Sequence, residues 1–215
     1  MKIRRAEKTA SVEEFEGKKV VVLLYSVDSN CLEGVGRHLG SGSLTRLEDL
    51  ELKSPVLELS GNATSENCLF IPEKASTGIK SDASLTHLIM AIKPISKYCS
   101  FEVQVLDSKG IPRRFKVTNF GSVSRLRSIQ AILPLKLEEG WNRVAVDLNH
   151  ICKTAYKTTV SKVLKIQLNG GMRIRRVLLA DSPYSDESLA KGVASWVENK
   201  FEVEEIPKED LKILN

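Results

Sequence analysis

The chain has 215 residues, of which 42% are hydrophobic, and it contains only 13 glycines and 7 prolines. This composition excludes a largely disordered chain, and the length predicts one main domain with a sizeable hydrophobic core. The formal net charge of +5 at pH 7 suggests an acidic partner, for which nucleic acid, an anionic membrane and the acidic surface of tubulin all qualify.

Residues 1–18 are predicted to form a solvated N-terminal extension, because charged residues of both signs follow Met1 where a secretory signal would have an apolar core. No stretch of the sequence approaches the roughly 18 to 20 apolar residues of a membrane span. We therefore expect a protein of the cytosol, or of a compartment continuous with it, that has no membrane partner.

Hydrophobic residues recur mostly with a period of two from Lys19 onward, which is typical of β-strands. Residues 34–40 partly match the glycine pattern of a dinucleotide-binding loop, but the third glycine comes one residue late and no suitable helix follows. This segment is therefore predicted to be a flexible loop. Short apolar runs that stop at polar or breaker residues predict strands at residues 20–25, 56–59, 68–71 and 87–92.

A β-hairpin is predicted over residues 101–120. Phe101, Val103 and Val105 share one face of its first strand, because successive side chains of a strand point to opposite faces. Residues 107–110 supply a turn, and residues 113–120 return as the partner strand.

The second half of the chain continues the strand pattern at residues 128–135 and 141–148. A helix of about two turns is predicted at residues 150–157, with Asn149 as its N-cap. We expect its inner side to contain Ile151, Cys152, Ala155 and Tyr156.

Residues 163–168 and 173–180 are predicted to pair with each other across a turn at residues 169–171, whose two glycines permit positive φ. A longer helix follows, capped by Ser185. Its apolar face is expected to contain Leu189, Val193, Trp196 and Val197.

About nine strands and two helices, without long helical crossovers, predict an all-β fold: an antiparallel β-sandwich with one short and one C-terminal helix. We place the sandwich domain at residues 19–185. The C-terminal helix and tail then occupy residues 186–215.

The sequence predicts no enzyme, metal site or cofactor. The three histidines lie in different predicted elements, and no nucleophile elbow, zinc motif or phosphate-binding loop is present. The four cysteines are too widely separated to suggest a metal or redox site, and we expect reduced, buried thiols at Cys31, Cys68, Cys99 and Cys152.

Positive charge is concentrated in three short clusters of the second half. Strand alternation would place Arg173 and Arg175 on one face, and Ile174 and Arg176 on the other. The clusters either bind an acidic partner or form weak local ion pairs with acids such as Glu102 and Asp107. A single-stranded nucleic acid is an unlikely partner, because it would need more aromatic residues among the basic ones. The candidate binding residues are Arg113, Arg114, Arg125, Arg127, Arg173, Arg175 and Arg176.

Six short motifs resemble the cilia- and flagella-associated protein 20 family. They occur in the order and near the spacing of that family, and the resemblance is most specific over residues 99–185. Upstream, the strand runs at residues 24–26, 56–59 and 88–93 are weaker matches. The motifs are residues 101–107 (FEVQVLD), 113–115 (RRF), 140–142 (GWN), 155–156 (AY), 173–177 (RIRRV) and 184–185 (YS).

The resemblance implies a jelly-roll-like β-sandwich that acts as a microtubule inner protein. Such a protein would brace the inner junction between the A- and B-tubules of ciliary doublets, beside tubulin and the Parkin co-regulated gene product. It also implies a place in the axoneme and no catalytic residues. A centriole or basal-body protein is an alternative, as is a sandwich module that binds nucleic acid or carbohydrate. Among the motif residues, Phe101, Trp141 and Tyr156 are expected to be core anchors, and the arginines to form the interface.

Overall fold

The computed structural model describes residues 14–15, 18–74, 76–190 and 203–206. Most of them lie in two large sheets that face each other. The strands are β1 (Glu14–Phe15), β2 (Lys18–Tyr25), β3 (Gly36–Leu39), β4 (Leu44–Asp49), β5 (Ser54–Leu59), β6 (Asn67–Ile71), β7 (Thr77–Ile79), β8 (His87–Pro94), β9 (Ser100–Asp107), β10 (Pro112–Thr118), β11 (Arg125–Leu126), β12 (Gln130–Pro134), β13 (Asn142–Asp147), β14 (Val160–Asn169), β15 (Met172–Ala180) and β16 (Val203–Glu205), and the helices are α1 (Leu148–Tyr156) and α2 (Asp186–Ala190).

The first sheet is organised around β15. Strand β8 pairs with nearly the whole of β15 on one side, while β5 and β2 share the other side. Strand β13 extends the sheet beyond β8, β4 extends it beyond β5, and β1 extends it beyond β2. All of these pairs are antiparallel, as the sequence predicts.

The second sheet has the strand order β11-β12-β10-β9-β14-β6-β3. The predicted hairpin is confirmed as β9 and β10, whose register runs from Pro112 opposite Leu106 to Thr118 opposite Ser100. One pair departs from the antiparallel expectation, because β12 lies parallel to β10. Residues 119–129 make the connection between these parallel strands and contain the short edge strand β11.

The hydrophobic core lies between the two sheets, which confirms an all-β sandwich. Phe101 and Phe115 are its largest fully buried side chains. The four cysteines are free and buried, as predicted. Burial raises the pKa of the Cys99 thiol to about 12 and, as the main cause, that of Cys152 to about 11.

The prediction that residues 163–168 pair with residues 173–180 is wrong. Strand β14 belongs to the second sheet and β15 to the first, so the turn between them crosses from one sheet to the other. The glycine prediction is confirmed at Gly171, whose φ is +92°. A β-carbon there would lie 2.8 Å from the carbonyl oxygen of Tyr98, too close for any side chain.

Two local predictions also need correction. Asp147, not Asn149, is the N-cap of α1: its side chain accepts a hydrogen bond from the His150 amide, whereas Asn149 accepts one from the Val160 amide. The predicted flexible loop at residues 34–40 contains strand β3. At Gly36 the ring of Phe70 occupies the space that a β-carbon would take, so any larger residue there would displace that ring.

The C-terminal helix covers part of the outer face of the first sheet. Leu189 of α2 packs there in a small apolar cluster with Val20, Val22, Ile89 and Leu178. The predicted contacts of Val193, Trp196 and Val197 lie outside the described residues, as do most of the predicted N-terminal extension and tail. No helix among the described residues is long and apolar enough to cross a membrane.

Candidate interaction surface

The seven candidate arginines do not form one surface. Arg113, Arg114, Arg125 and Arg127 lie in or beside the strands at one edge of the second sheet. Arg173, Arg175 and Arg176 lie in β15, the central strand of the first sheet. The two groups therefore belong to opposite layers of the sandwich.

Arg113, one of the predicted binding residues, is buried and paired within the chain. Its Nε lies 2.9 Å and its Nη2 2.8 Å from Oδ2 of Asp107, and both side chains are almost fully buried. The guanidinium also lies 4.1 Å from the centre of the Tyr156 ring and donates a hydrogen bond to the Ser128 carbonyl oxygen. It thus joins the hairpin turn to α1 and to the loop before β12.

Asp107 is a fixed anion rather than a proton donor. Burial by itself would raise the pKa of its carboxyl group, but hydrogen bonds from the amides of Ile111 and Lys109 and from Arg113 outweigh it and lower that pKa. Arg113 thus pairs with Asp107, the local acid of the alternative interpretation, but the pair is buried and not a weak, solvated one. The alternative interpretation is confirmed beside this pair, where Arg114 and Lys116 both face Glu102 at 3.9 and 3.3 Å.

Arg173 belongs to a network on the outer face of the first sheet. It donates to Glu58 at 2.8 Å and to the buried carboxylate of Asp49 at 2.9 Å, and Asp49 also accepts the indole N–H of Trp141 at 3.1 Å. Burial would raise the pKa of Asp49, but hydrogen bonds from Trp141, Arg173 and two backbone amides lower it. Trp141 is therefore half-buried and linked to this network, outside the hydrophobic core in which it was expected.

Arg175 lies at the point along β15 where the neighbouring strand changes from β5 to β2. It donates to the Pro55 carbonyl oxygen at 3.1 Å and lies 5.0 Å from the Tyr25 ring. The strand register shifts between Ile174 and Arg176, so these two residues do not share a face as predicted. Ile174 enters the core, whereas Arg176 binds Asp186 at the start of α2.

Only two of the seven candidates, Arg125 and Arg127, make no side-chain contact with a carboxylate or a ring within the part of the chain that the structure describes, and both are exposed. They lie in the connection between β10 and β12, among exposed apolar side chains. We call the exposed set the edge surface. It comprises Phe120, Val123, Arg125, Leu126, Arg127 and Ile129.

Phe120 is the aromatic residue of the edge surface, and it is held by Tyr98. The two half-exposed rings meet edge to face with their centres 5.3 Å apart. They line one side of a cleft of about 510 Å³ whose other side is formed by Asn62, Ala63 and Thr64. The cleft gives the edge surface a concave, mainly apolar border.

The apolar part of the edge surface was missed from the sequence, although a signal for it exists. No acidic residue occurs between Asp107 and Glu138, while seven lysines and arginines do. Within this stretch Val123 and Leu126 lie outside the predicted strands, and Ile129 lies in the strand predicted at residues 128–135. A search for apolar residues in acid-free segments would have found them.

The described residues contain no group of three or more histidine, cysteine, aspartate or glutamate side chains that could hold a metal ion. His87 lies 3.8 Å from Asp147 in a single pair. His150 contacts Thr154, and His38 is exposed on β3. The three histidines therefore do not converge on one site in the described part of the chain.

Comparison with known proteins gives consistent matches over most of the chain. The family model of the CFA20 domain matches residues 12–196. The cilia- and flagella-associated protein 20 of Paramecium tetraurelia is 37% identical over 169 residues, which are 78% of this chain and 86% of that protein. The protein of the same name from Chlamydomonas reinhardtii is 36% identical over 169 residues, covering 78% and 87%. That from Caenorhabditis elegans is 37% identical over 170 residues, covering 78% and 81%.

Solved structures give a much weaker likeness. A family 11 carbohydrate-binding module from Clostridium thermocellum aligns with 74% of this chain and 94% of its own, at 10% identity and a TM-score of 0.39. A TM-score this low carries no information on function.

Proposed function

We propose that this chain, which belongs to the CFA20 domain family of cilia- and flagella-associated proteins, is a structural microtubule inner protein of ciliary and flagellar doublets. In this role it braces the inner junction between the A- and B-tubules, beside tubulin and the Parkin co-regulated gene product. The observation that carries the proposal is the family match, which extends over residues 12–196 and so includes both sheets of the sandwich.

Ion pairs within the folded chain support a bracing role. Buried or half-buried ion pairs tie its elements together: Asp107 with Arg113 within the hairpin, and Arg173 with Asp49 and Glu58 across the first sheet. Because each such contact has several partners, the elements are fixed relative to one another. A rigid module of this kind transmits load between two surfaces without a change in its own shape.

The charge distribution supports an acidic polymer as the partner. Exposed ion pairs contribute only about 0 to 1 kcal/mol each, so a few exposed cations give weak affinity for a single site. A lattice that presents the same acidic surface at every repeat makes up for this weak affinity, because contacts to neighbouring repeats act together. The net charge of +5 fits such a lattice, as do Arg125 and Arg127, which have no carboxylate partner among the described residues.

A structural rather than catalytic role also agrees with the state of the reactive groups. Cys99 and Cys152 are buried, and their raised pKa values leave them as thiols at neutral pH. The three histidines lie in separate elements, β3, β8 and α1. We therefore propose that the chain acts through its surfaces, without an enzymatic step.

The proposal is tested by following the tagged full chain in ciliated cells and through extraction of isolated axonemes. We expect a signal along the axoneme that resists detergent and moderate salt, and loss of beating regularity when the chain is depleted. A signal confined to basal bodies would replace the doublet with the centriole as the site of action. A diffuse pool that detergent removes would refute a microtubule role altogether.

A further inference from the structure

We propose that the edge surface is a docking site for a protein segment that carries both carboxylates and apolar side chains. The inference deepens the proposed function, on which it rests for the place where the partner is found: in a cilium, the segment belongs to a neighbour in the doublet. It differs from the general attraction of a basic protein to an acidic lattice, because it names one site with two kinds of contact.

The first argument is a row of apolar cross-strand neighbours whose last member is exposed. Leu126 of β11 is the cross-strand neighbour of Ala131, which neighbours Phe115, which in turn neighbours Val103. Ala131, Phe115 and Val103 are buried in the core, yet Leu126 is 58% exposed. The row of side chains that fills the core thus continues onto β11, where nothing in the described part of the chain covers it.

Three further apolar side chains of the same connection are exposed. Val123 is 70% exposed, and Phe120 and Ile129 are each about half exposed. Four large apolar side chains within ten residues are more than the scattered exposed residues of an ordinary surface. We therefore expect a partner that contacts them with apolar side chains of its own.

The second argument is charge. Arg125 and Arg127 precede and follow Leu126 in the chain, and neither has a carboxylate partner in the described part of the chain. Because successive side chains of a strand alternate, Arg125, opposite Ile132, points to the other face of β11 from Leu126, so a segment bound along this edge strand can reach both. The acid-free stretch from residue 108 to residue 137 leaves the partner as the source of negative charge. Guanidinium groups donate paired hydrogen bonds to carboxylates and tolerate partial burial, so two of them on the same edge strand as an exposed leucine fit an acidic, amphipathic segment.

Other occupants fit less well. Single-stranded nucleic acid would stack on aromatic rings, but Val123, Leu126 and Ile129 are aliphatic and Phe120 already contacts Tyr98. The longer segments of this chain outside the described residues are 1–13, 191–202 and 207–215, and none has a net negative charge in its side chains. A protein segment from another chain therefore satisfies both observations.

The test places a photo-crosslinking residue at Val123 of the full chain in ciliated cells, irradiates whole cells, and identifies the crosslinked peptide by mass spectrometry. We expect a peptide from another protein whose side chains carry net negative charge and include apolar residues. A crosslink to nucleic acid, to a segment of this chain or to a segment without net negative charge would overturn the proposal, as would the absence of any crosslink.

Two variants separate the two kinds of contact. Arg125→Glu with Arg127→Glu should lower the crosslink yield by about tenfold, since two favourable ion pairs become repulsive. Leu126→Ser should lower it through the loss of apolar contact. The matched controls are Arg37→Glu with Lys74→Glu, at the far edge of the second sheet, and Leu50→Ser, an 89% exposed leucine of the first sheet. Equal loss in variants and controls would overturn the proposal.

A measurement on the unaltered chain guards against a folding defect in the variants. Raising the salt concentration in permeabilised cells should reduce the Val123 crosslink, because exposed ion pairs are screened. A yield that salt does not change would contradict the role of the arginines. Whole-cell irradiation also separates this proposal from the previous one: a diffuse chain with an acidic crosslink would refute the doublet role alone, whereas an axonemal chain without the crosslink would refute the docking site alone.

Discussion

Arg113→Ala is the substitution for which the structure predicts the largest loss of stability among the seven arginines. The change leaves the carboxylate of Asp107 without its cation, although the side chain of Asp107 is fully buried. It also removes the guanidinium that lies 4.1 Å from the Tyr156 ring and the hydrogen bond to the Ser128 carbonyl oxygen. Three elements therefore lose a shared contact.

The expected cost is about 3 to 5 kcal/mol, the usual range for removing one partner of a buried ion pair. Two backbone amides, at 2.9 Å each, still bind Asp107, so we expect a value towards the lower end. For a chain of this length the loss corresponds to a fall in melting temperature of about 6 to 20 °C. Arg114→Ala is the matched control, because Arg114 faces Glu102 at the partly exposed surface and should cost less than about 1 kcal/mol.

The assay is urea unfolding at pH 7, followed by circular dichroism, for the wild type, both single variants and the double variant Arg113→Met with Asp107→Asn. The double variant should recover part of the loss, because asparagine keeps an oxygen for the two amides and no longer buries a charge. An Arg113→Ala protein as stable as the Arg114→Ala protein would refute the reasoning that Arg113 is structural.

Two further predictions concern stability. The lowered pKa values of Asp49 and Asp107 mean that the stability they contribute is complete above the unfolded carboxyl pKa of about 3.9, and is lost as pH falls through the lower folded values. Urea titrations between neutral pH and pH 3 should show this decline, and it should be shallower in Asp49→Asn; an identical acid slope in the variant would contradict the assignment. Gly171→Ala should destabilise the chain by at least about 2 kcal/mol, since a positive φ is combined with a backbone clash. Gly121→Ala, where nothing lies within 4 Å, is the control in thermal melts, and equal melting temperatures would count against the clash.

The hairpin and the core were predictable because they depend on local patterning. Phe101, Val103 and Val105 alternate with polar residues, and that alternation fixes which face is buried once a sheet forms. The turn at residues 107–110 is equally local, since Asp107 accepts hydrogen bonds from amides only two and four residues ahead.

The pairing of β14 and the roles of the arginines were not predictable in this way. Whether the glycine turn at residues 169–171 folds β15 back onto β14 or sends it into the opposite sheet depends on partners far away in the chain. Arg173 meets Asp49 and Glu58 across separations of 124 and 115 residues. No local sequence pattern indicates contacts over such separations. The structure shows that the three predicted binding residues of β15 contact other groups of the same chain.

The sequence by itself determined an all-β fold, the position of its central hairpin and, through six short motifs, the family to which the chain belongs. These features depend on periodicity and on residue identity, which can be read from adjacent positions in the sequence. Only the tertiary structure decided which cations are exposed, because an arginine is available for binding only when no distant carboxylate or carbonyl in the folded chain meets it. Within the described residues, that criterion leaves Arg125 and Arg127 of the seven predicted arginines, next to the exposed Leu126.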